Sequence, residues 1–131
     1  MLSNGSRLSL VFGRSLGRVV VEISGPLDAT SAGQLRHRLT DLVDGQGNRH
    51  VVLDLRGMTL VDSAGLSVLI HAHKRIQMNA GQLVFSGASP EVLRVFEAAG
   101  LDKVFCLTPS WMHPAHGDGP AESGRSAGLG A

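Results

Sequence analysis

Hydrophobic periodicity switches back and forth along this chain, and each switch marks a change of secondary structure. Leu8 to Phe12 and Arg18 to Ser24 are short apolar, β-branched-rich runs separated by the five residues Gly13 to Gly17, the pattern of a β-hairpin with a glycine-containing loop. In the second run Val19, Val21 and Ile23 fall on one face, with Val20, Glu22 and Ser24 on the other. After Gly25-Pro26-Leu27-Asp28 the period becomes 3.6. Ala32, Leu35, Leu39, Leu42 and Val43 make the stripe of a first helix, with Asp28 or Thr30 as its cap and Gly45 and Gly47 past its end. Val51 to Leu55 is nearly continuous in apolar character, as strands buried on both faces are.

A short connection then leads to Asp62-Ser63-Ala64-Gly65-Leu66, where a second helix starts and runs to Ala80, with Gly81 as its stop. Its expected inner stripe is Leu66, Leu69, Ile70, Ala72, His73, Ile76 and Ala80. Gln82 to Ser86 reads as a strand, Pro90 to Ala99 as a helix and Lys103 to Leu107 as a last strand. Strands alternating with helices imply right-handed βαβ crossovers, hence an α/β fold whose mostly parallel, mixed sheet carries an antiparallel hairpin edge. Apolar periodicity stops at Pro109. Residues 1–108 are therefore expected to form one domain and residues 109–131 a Gly/Ser/Ala-rich, disordered tail.

Several function classes lack the residues they need. With 12 Lys and Arg against 11 Asp and Glu and no block of five or more like charges, there is no electrostatic footprint for nucleic acid. Four Phe, one Trp and no Tyr make a poor stacking platform. One cysteine excludes an internal disulfide and fits a reducing cytoplasm; Cys106, between Phe105 and Leu107, is expected to be a core or half-buried residue. Neither a membrane span nor a secretory leader is visible. His71 and His73 lie two apart and point to different sides of a helix, while His113 and His116 fall in the tail, so no metal site is expected. No P-loop, Gly-x-Gly-x-x-Gly or Gly-x-Ser-x-Gly is present, so no cofactor and no catalytic activity are expected.

The remaining candidate is Ser63. It stands where a buried strand's connection meets a helix, with its hydroxyl expected to cap the first turn at the carboxyl end of the sheet, where ligand sites of open α/β sheets gather. Phosphate there would sit on free backbone N–H groups at the positive helix end and beside Asp62 and Asp28. Ala64, Ser67, Val68 and His71, at three- and four-residue spacing, are the expected docking patch, and Gly65 is placed for close backbone approach.

Gly25-Pro26-Leu27-Asp28-Ala29-Thr30, the run from Val51 to Leu66, Gly81 to Gly87 and Phe96 to Leu101 together resemble the STAS domain of bacterial anti-sigma factor antagonists. The resemblance covers about residues 8 to 108. It implies that Ser63 is the target of an anti-sigma factor that is itself a serine/threonine kinase. It further implies that the unphosphorylated protein binds this kinase and frees a sigma factor, and that a phosphoserine phosphatase resets the switch. Asp28, Asp62, Ser63, Ala64, Gly65, Ser67, Val68 and His71 would meet the partner. Pro26 departs from the family's Glu, Ala64 from a frequent second Ser or Thr, and Ser67 from a frequent Gly. The alternative the resemblance leaves open is a non-catalytic STAS-like subunit of a lipid transporter or stress-sensing complex.

Overall fold

The computed structural model describes residues 7–109; the rest of the expected tail, with His113 and His116, lies outside them. Ser9–Ser15 (β1) pairs antiparallel with Arg18–Leu27 (β2), so two residues rather than five make the hairpin turn. Leu16 and Gly17 both have positive φ, 55° and 79°, the twist that matches a two-residue hairpin.

Ala32–Thr40 (α1) follows, and a π-helical turn, Asp41–Gly45, widens its end. Asn48 closes that turn, its backbone and side-chain N–H groups both donating to the Leu42 carbonyl at 3.1 Å. His50–Val61 (β3) is much longer than the apolar run that announced it and absorbs the expected connection. It pairs in parallel with β2 through two register shifts, between Glu22 and Ser24 and between Gly25 and Pro26. Ser63–Met78 (α2), Gln82–Ser86 (β4), Pro90–Ala98 (α3) and Cys106–Thr108 (β5) complete the chain, with a 3-10 turn at Leu101–Lys103 where the last strand was expected to begin.

The five-stranded sheet runs in the order β1-β2-β3-β4-β5, parallel except for β1 against β2, so the mixed α/β architecture stands as expected. One apolar cluster joins Val21 and Ile23 of β2, Leu53 and Leu55 of β3 and Phe85 of β4 to Leu35 of α1, Leu69 and Ile76 of α2 and Phe96 of α3. Phe105 stacks on Phe85 at 4.2 Å and meets Phe96 edge-on at 5.4 Å, fixing α3 and the last turn to the sheet. His73 faces the same ring at 5.4 Å. Cys106 is exposed, not core: it pairs with Val84, on the opposite face from Phe85 and Leu107.

Candidate functional site at the start of α2

β3 delivers Asp62 to the carboxyl end of the sheet in an extended conformation, and the helix begins at the next residue. The cap is Asp62, not Ser63. Its Oδ1 accepts from the Gly65 N–H at 3.0 Å while its carbonyl accepts from the Leu66 N–H at 2.8 Å. Those two bonds satisfy the third and fourth amides of α2. The amides of Ser63 and Ala64 have no acceptor among the described residues, which is the usual state of a helix start. Ser63 is exposed, and among the described residues its hydroxyl makes no hydrogen bond; its carbonyl accepts from the Ser67 hydroxyl at 3.1 Å.

A second loop is sewn to this one. The Asp62 N–H donates to the Leu27 carbonyl at 3.1 Å, which places Asp28 and Ser63 one residue beyond a shared hydrogen bond. Gly65 lies flat against the same residue: a Cβ there would stand 2.6 Å from Leu27 Cγ and 2.7 Å from its carbonyl oxygen. Glycine is therefore required by close approach. The Asp28 loop is rigid for its own reasons. Asp28 Oδ1 accepts from the Thr30 hydroxyl at 2.7 Å and N–H at 3.0 Å and from the Ser31 N–H at 3.2 Å, while the Ser31 hydroxyl donates to the Pro26 carbonyl at 2.8 Å and accepts from the Asp28 N–H at 3.0 Å. These bonds, the Thr30 hydroxyl first, hold the Asp28 carboxyl below its ordinary range against a smaller opposing effect of burial, so it is an anion at neutral pH. Neither Asp28 nor Thr30, the two caps expected for α1, is its N-cap: that position is Ser31, while Asp28 ties the preceding turn and Thr30 donates to it.

Along α2 the exposed positions run Ser63, Ser67, His71 and Lys74, one turn apart, with Ala64 half-buried beside them. Val68 does not belong to this surface. It is 2% exposed and faces Leu39 and Val43 in the seam between α1 and α2. Gly65 is also buried, so of the expected docking patch Ala64, Ser67 and His71 remain available, flanked by Asp28, Asp62 and Ser63. Leu66 and Ile70 are half-buried and Ala80 exposed, so the inner stripe of α2 is narrower than its spacing suggests. One surface residue escaped the sequence reading. Leu60, paired with Pro26 at the end of β3, is 46% exposed and sits two residues before Asp62; the break in alternation between Met58 and Val61 is its only signal.

Among the described residues no three His, Cys, Asp or Glu side chains are grouped to hold a metal ion, and no helix is long and apolar enough to cross a membrane. Residues 13–119 match the STAS domain family. The anti-sigma F factor antagonist of Paenibacillus polymyxa is 28% identical over 67% of this chain and 75% of its own length. Among solved structures, an anti-sigma factor antagonist from Mycobacterium paratuberculosis superposes with a TM-score of 0.76 at 24% identity, covering 87% of this chain and 96% of that one. The Bacillus cell fate determinant SpoIIAA in its phosphorylated form superposes with a TM-score of 0.62 at 18% identity, covering 76% of this chain and 90% of that one. The two superpositions establish a common fold, and the sequence match assigns the lineage: this chain belongs to the STAS domain family.

Proposed function

We propose that this protein is an anti-sigma factor antagonist, a cytoplasmic, non-catalytic binding protein switched by phosphorylation of Ser63. The unphosphorylated form binds an anti-sigma factor serine/threonine kinase through Ser63, Ala64, Ser67 and His71 of α2, with Asp28 and Asp62 at the rim and Gly65 setting the backbone beneath them. Binding of the kinase releases a sigma factor, and a phosphoserine phosphatase restores the free hydroxyl. The carrying observation is the state of Ser63: exposed, first in its helix, its hydroxyl without a hydrogen bond among the described residues, and next to two amides without acceptors. Those amides and the positive helix end can receive a phosphoryl group without unfolding the domain.

The same phosphate adds about −1.5 to −2 charge between two carboxylates, so a surface complementary to a neutral serine meets like charge and a desolvation cost. The relative from Paenibacillus polymyxa carries the name of this activity, which supports the reading. Incubation with the candidate kinases and ATP, followed by mass spectrometric mapping, should place one phosphate on Ser63 and none on the Ser63→Ala variant. Phosphate on another residue, or none with any anti-sigma kinase of the source genome, would refute the assignment.

A further inference from the structure

Ser63 occupies one end of the sheet, and the opposite end has features of its own. β2 is a ten-residue strand whose last residue, Leu27, is level with Val61, so the hairpin turn before Arg18 lies about 30 Å from the Ser63 loop. Leu16 sits in that turn in a conformation that disfavours it. A two-residue turn of this twist needs positive φ at both positions and is best served by Asn-Gly or Asp-Gly, whereas here the pair is Leu16-Gly17, at 55° and 79°. A bulky side chain in the left-handed region is strained, and packing offers nothing in return: Leu16 is 87% exposed, more than any other large apolar residue among those described. Strain that the fold does not need marks a candidate functional position.

Beside the turn a groove of about 280 Å³ opens between the hairpin and the end of α1. Its floor is apolar, made by the buried Val19 and Leu42 and the half-buried ring of Phe12. Its walls are cationic. Arg38 stacks on the Phe12 ring at 4.3 Å and Arg14 donates to Asn48 Oδ1 at 3.3 Å, so both guanidiniums are held in place. Asn48 in turn donates to Gln46 Oε1 at 3.4 Å, and Gln46 donates to Asp41 Oδ2 at 3.1 Å. Asp41, the one carboxylate among the described residues that line the groove, is thereby tied to its own wall. Arg14, Arg18 and Arg38 are all exposed, and none of them forms an ion pair among the described residues.

We propose that this end of the domain is a second docking surface, which holds an acidic, partly apolar segment of a partner protein. An apolar side chain of that segment fills the groove over Val19 and Leu42, Leu16 packs against its flank, and its carboxylates pair with Arg14, Arg18 and Arg38. Guanidiniums fixed by stacking or by a hydrogen bond, with N–H groups to spare, are suited to carboxylates in this way. The charge decides the occupant. A second copy of the same surface would set arginine against arginine, with only Asp41 to offset them. A bilayer is the poorer fit, because one leucine supplies far less apolar surface than lasting membrane attachment needs. Lying a whole strand length from Ser63, the surface is open whether or not that serine carries a phosphate, and the proposal does not rest on the phosphorylation switch.

The probe is a random dodecapeptide library displayed on phage, selected against the full chain and counter-selected against a variant carrying both Leu16→Asn and Arg38→Ala. Enriched peptides should combine Asp or Glu with Leu, Phe or Trp, and a synthetic copy should bind less tightly as salt rises. Leu16→Asn and Arg38→Ala should each weaken its binding about tenfold or more, whereas Ser63→Asp should leave it within about twofold of the parent. Leu16→Asn should also melt a few degrees above the parent, since asparagine suits the left-handed turn, so its loss of binding cannot come from a damaged fold. If Arg38→Ala destabilises the domain by uncovering Phe12, the Leu16→Asn result still decides. Peptides enriched equally on the double variant, peptides without carboxylates, or binding lost in Ser63→Asp would each overturn the proposal. So would a Leu16→Asn variant that melts below the parent, because the strain at the turn would then be absent. A dimer that Leu16→Asn dissolves, or adsorption to phosphatidylglycerol vesicles in place of peptide binding, would overturn it in favour of a second copy or a lipid surface.

Discussion

Asp62 and Ser63 are neighbours with separable jobs, and exchanging each in turn tests both. Asp62→Ala removes the carboxylate that accepts from the Gly65 N–H at 3.0 Å, and loss of such a cap costs about 0.5–2 kcal/mol. For a domain of this size each kcal/mol is worth about 4–8 °C, so the Asp62→Ala variant should melt about 2–16 °C lower, a value near the middle being expected. Ser63→Ala removes an exposed hydroxyl that caps nothing, and its stability should stay within about 0.5 kcal/mol of the parent. Ser63→Asp should melt no lower than Ser63→Ala, because a carboxylate in the first turn gains about 0.3–1 kcal/mol from the helix dipole, which repulsion from Asp62 reduces. Affinity for the kinase should move the other way. Ser63→Ala should bind as tightly as the parent and resist phosphorylation. Ser63→Asp places an unpaired, partly desolvated charge in the interface at a cost of a few kcal/mol, ten- to a hundredfold or more in Kd. Melting curves and titration calorimetry on the three variants separate the roles. If Ser63→Ala lost as much stability as Asp62→Ala, the capping assignment would be wrong. Equal kinase affinities for Ser63→Ala and Ser63→Asp would instead remove Ser63 from the switch.

Gly65→Ala gains up to about 1 kcal/mol of helix propensity but drives a methyl against Leu27, and overpacking of about 1–3 kcal/mol should dominate. The expected result is a lower melting temperature with weaker kinase binding, since the Asp28 loop must move; a stabilised variant would show that Leu27 yields easily. Burial pushes the His73 imidazole below its ordinary value of 6.5, so it is neutral in the fold. Its contribution is complete above about pH 6.5 and is lost as pH falls from there toward the folded value, because the unfolded chain takes up the proton first. His73→Leu, which also removes a buried Nδ1 with no partner among the described residues, should flatten the melting temperature between about pH 5 and 7; an unchanged slope would assign it to other groups. Asp28 shows the carboxylate version. Its lowered value adds stability above the ordinary carboxyl range that disappears in acid, so Thr30→Val should lower the melting temperature near neutral pH and converge on the parent as pH falls below that range; an equal loss at all pH values would assign the effect to something other than Asp28.

How much of this was readable in advance depended on whether a residue's environment is set by its own element or by a neighbouring one. The period of two in β2 and of 3.6 in α2 follows from each segment's own burial, and with the crossover rule it yields the parallel sheet. β3 beyond Leu55 was not readable, because its pairing with β2 slips twice there. At Gly57 a Cβ would collide with the Ser24 side chain, so the glycine that looked like a loop residue is what lets two bulged strands stay together. The docking patch failed at one residue for a similar reason. Ala64, Ser67, Val68 and His71 share one side of α2 by spacing, but Val68 is buried in the seam with Leu39 and Val43 of the preceding helical segment while Ser67 is exposed, and how far round a helix its neighbour reaches is not encoded in that helix's own spacing. The cap is the subtler case. Asp and Ser are equally good caps, so sequence leaves two registers for the start of α2, one residue apart. The long β3 decides between them, since its last hydrogen bond fixes the Asp62 N–H on the Leu27 carbonyl and leaves Asp62 as the final extended residue. That decision has a functional side. A serine engaged as a cap would have to give up a bond to accept a phosphate, whereas a serine one position inside the helix, with the carboxylate of Asp62 already serving the third amide, leaves its hydroxyl and the first two amides without a partner among the described residues.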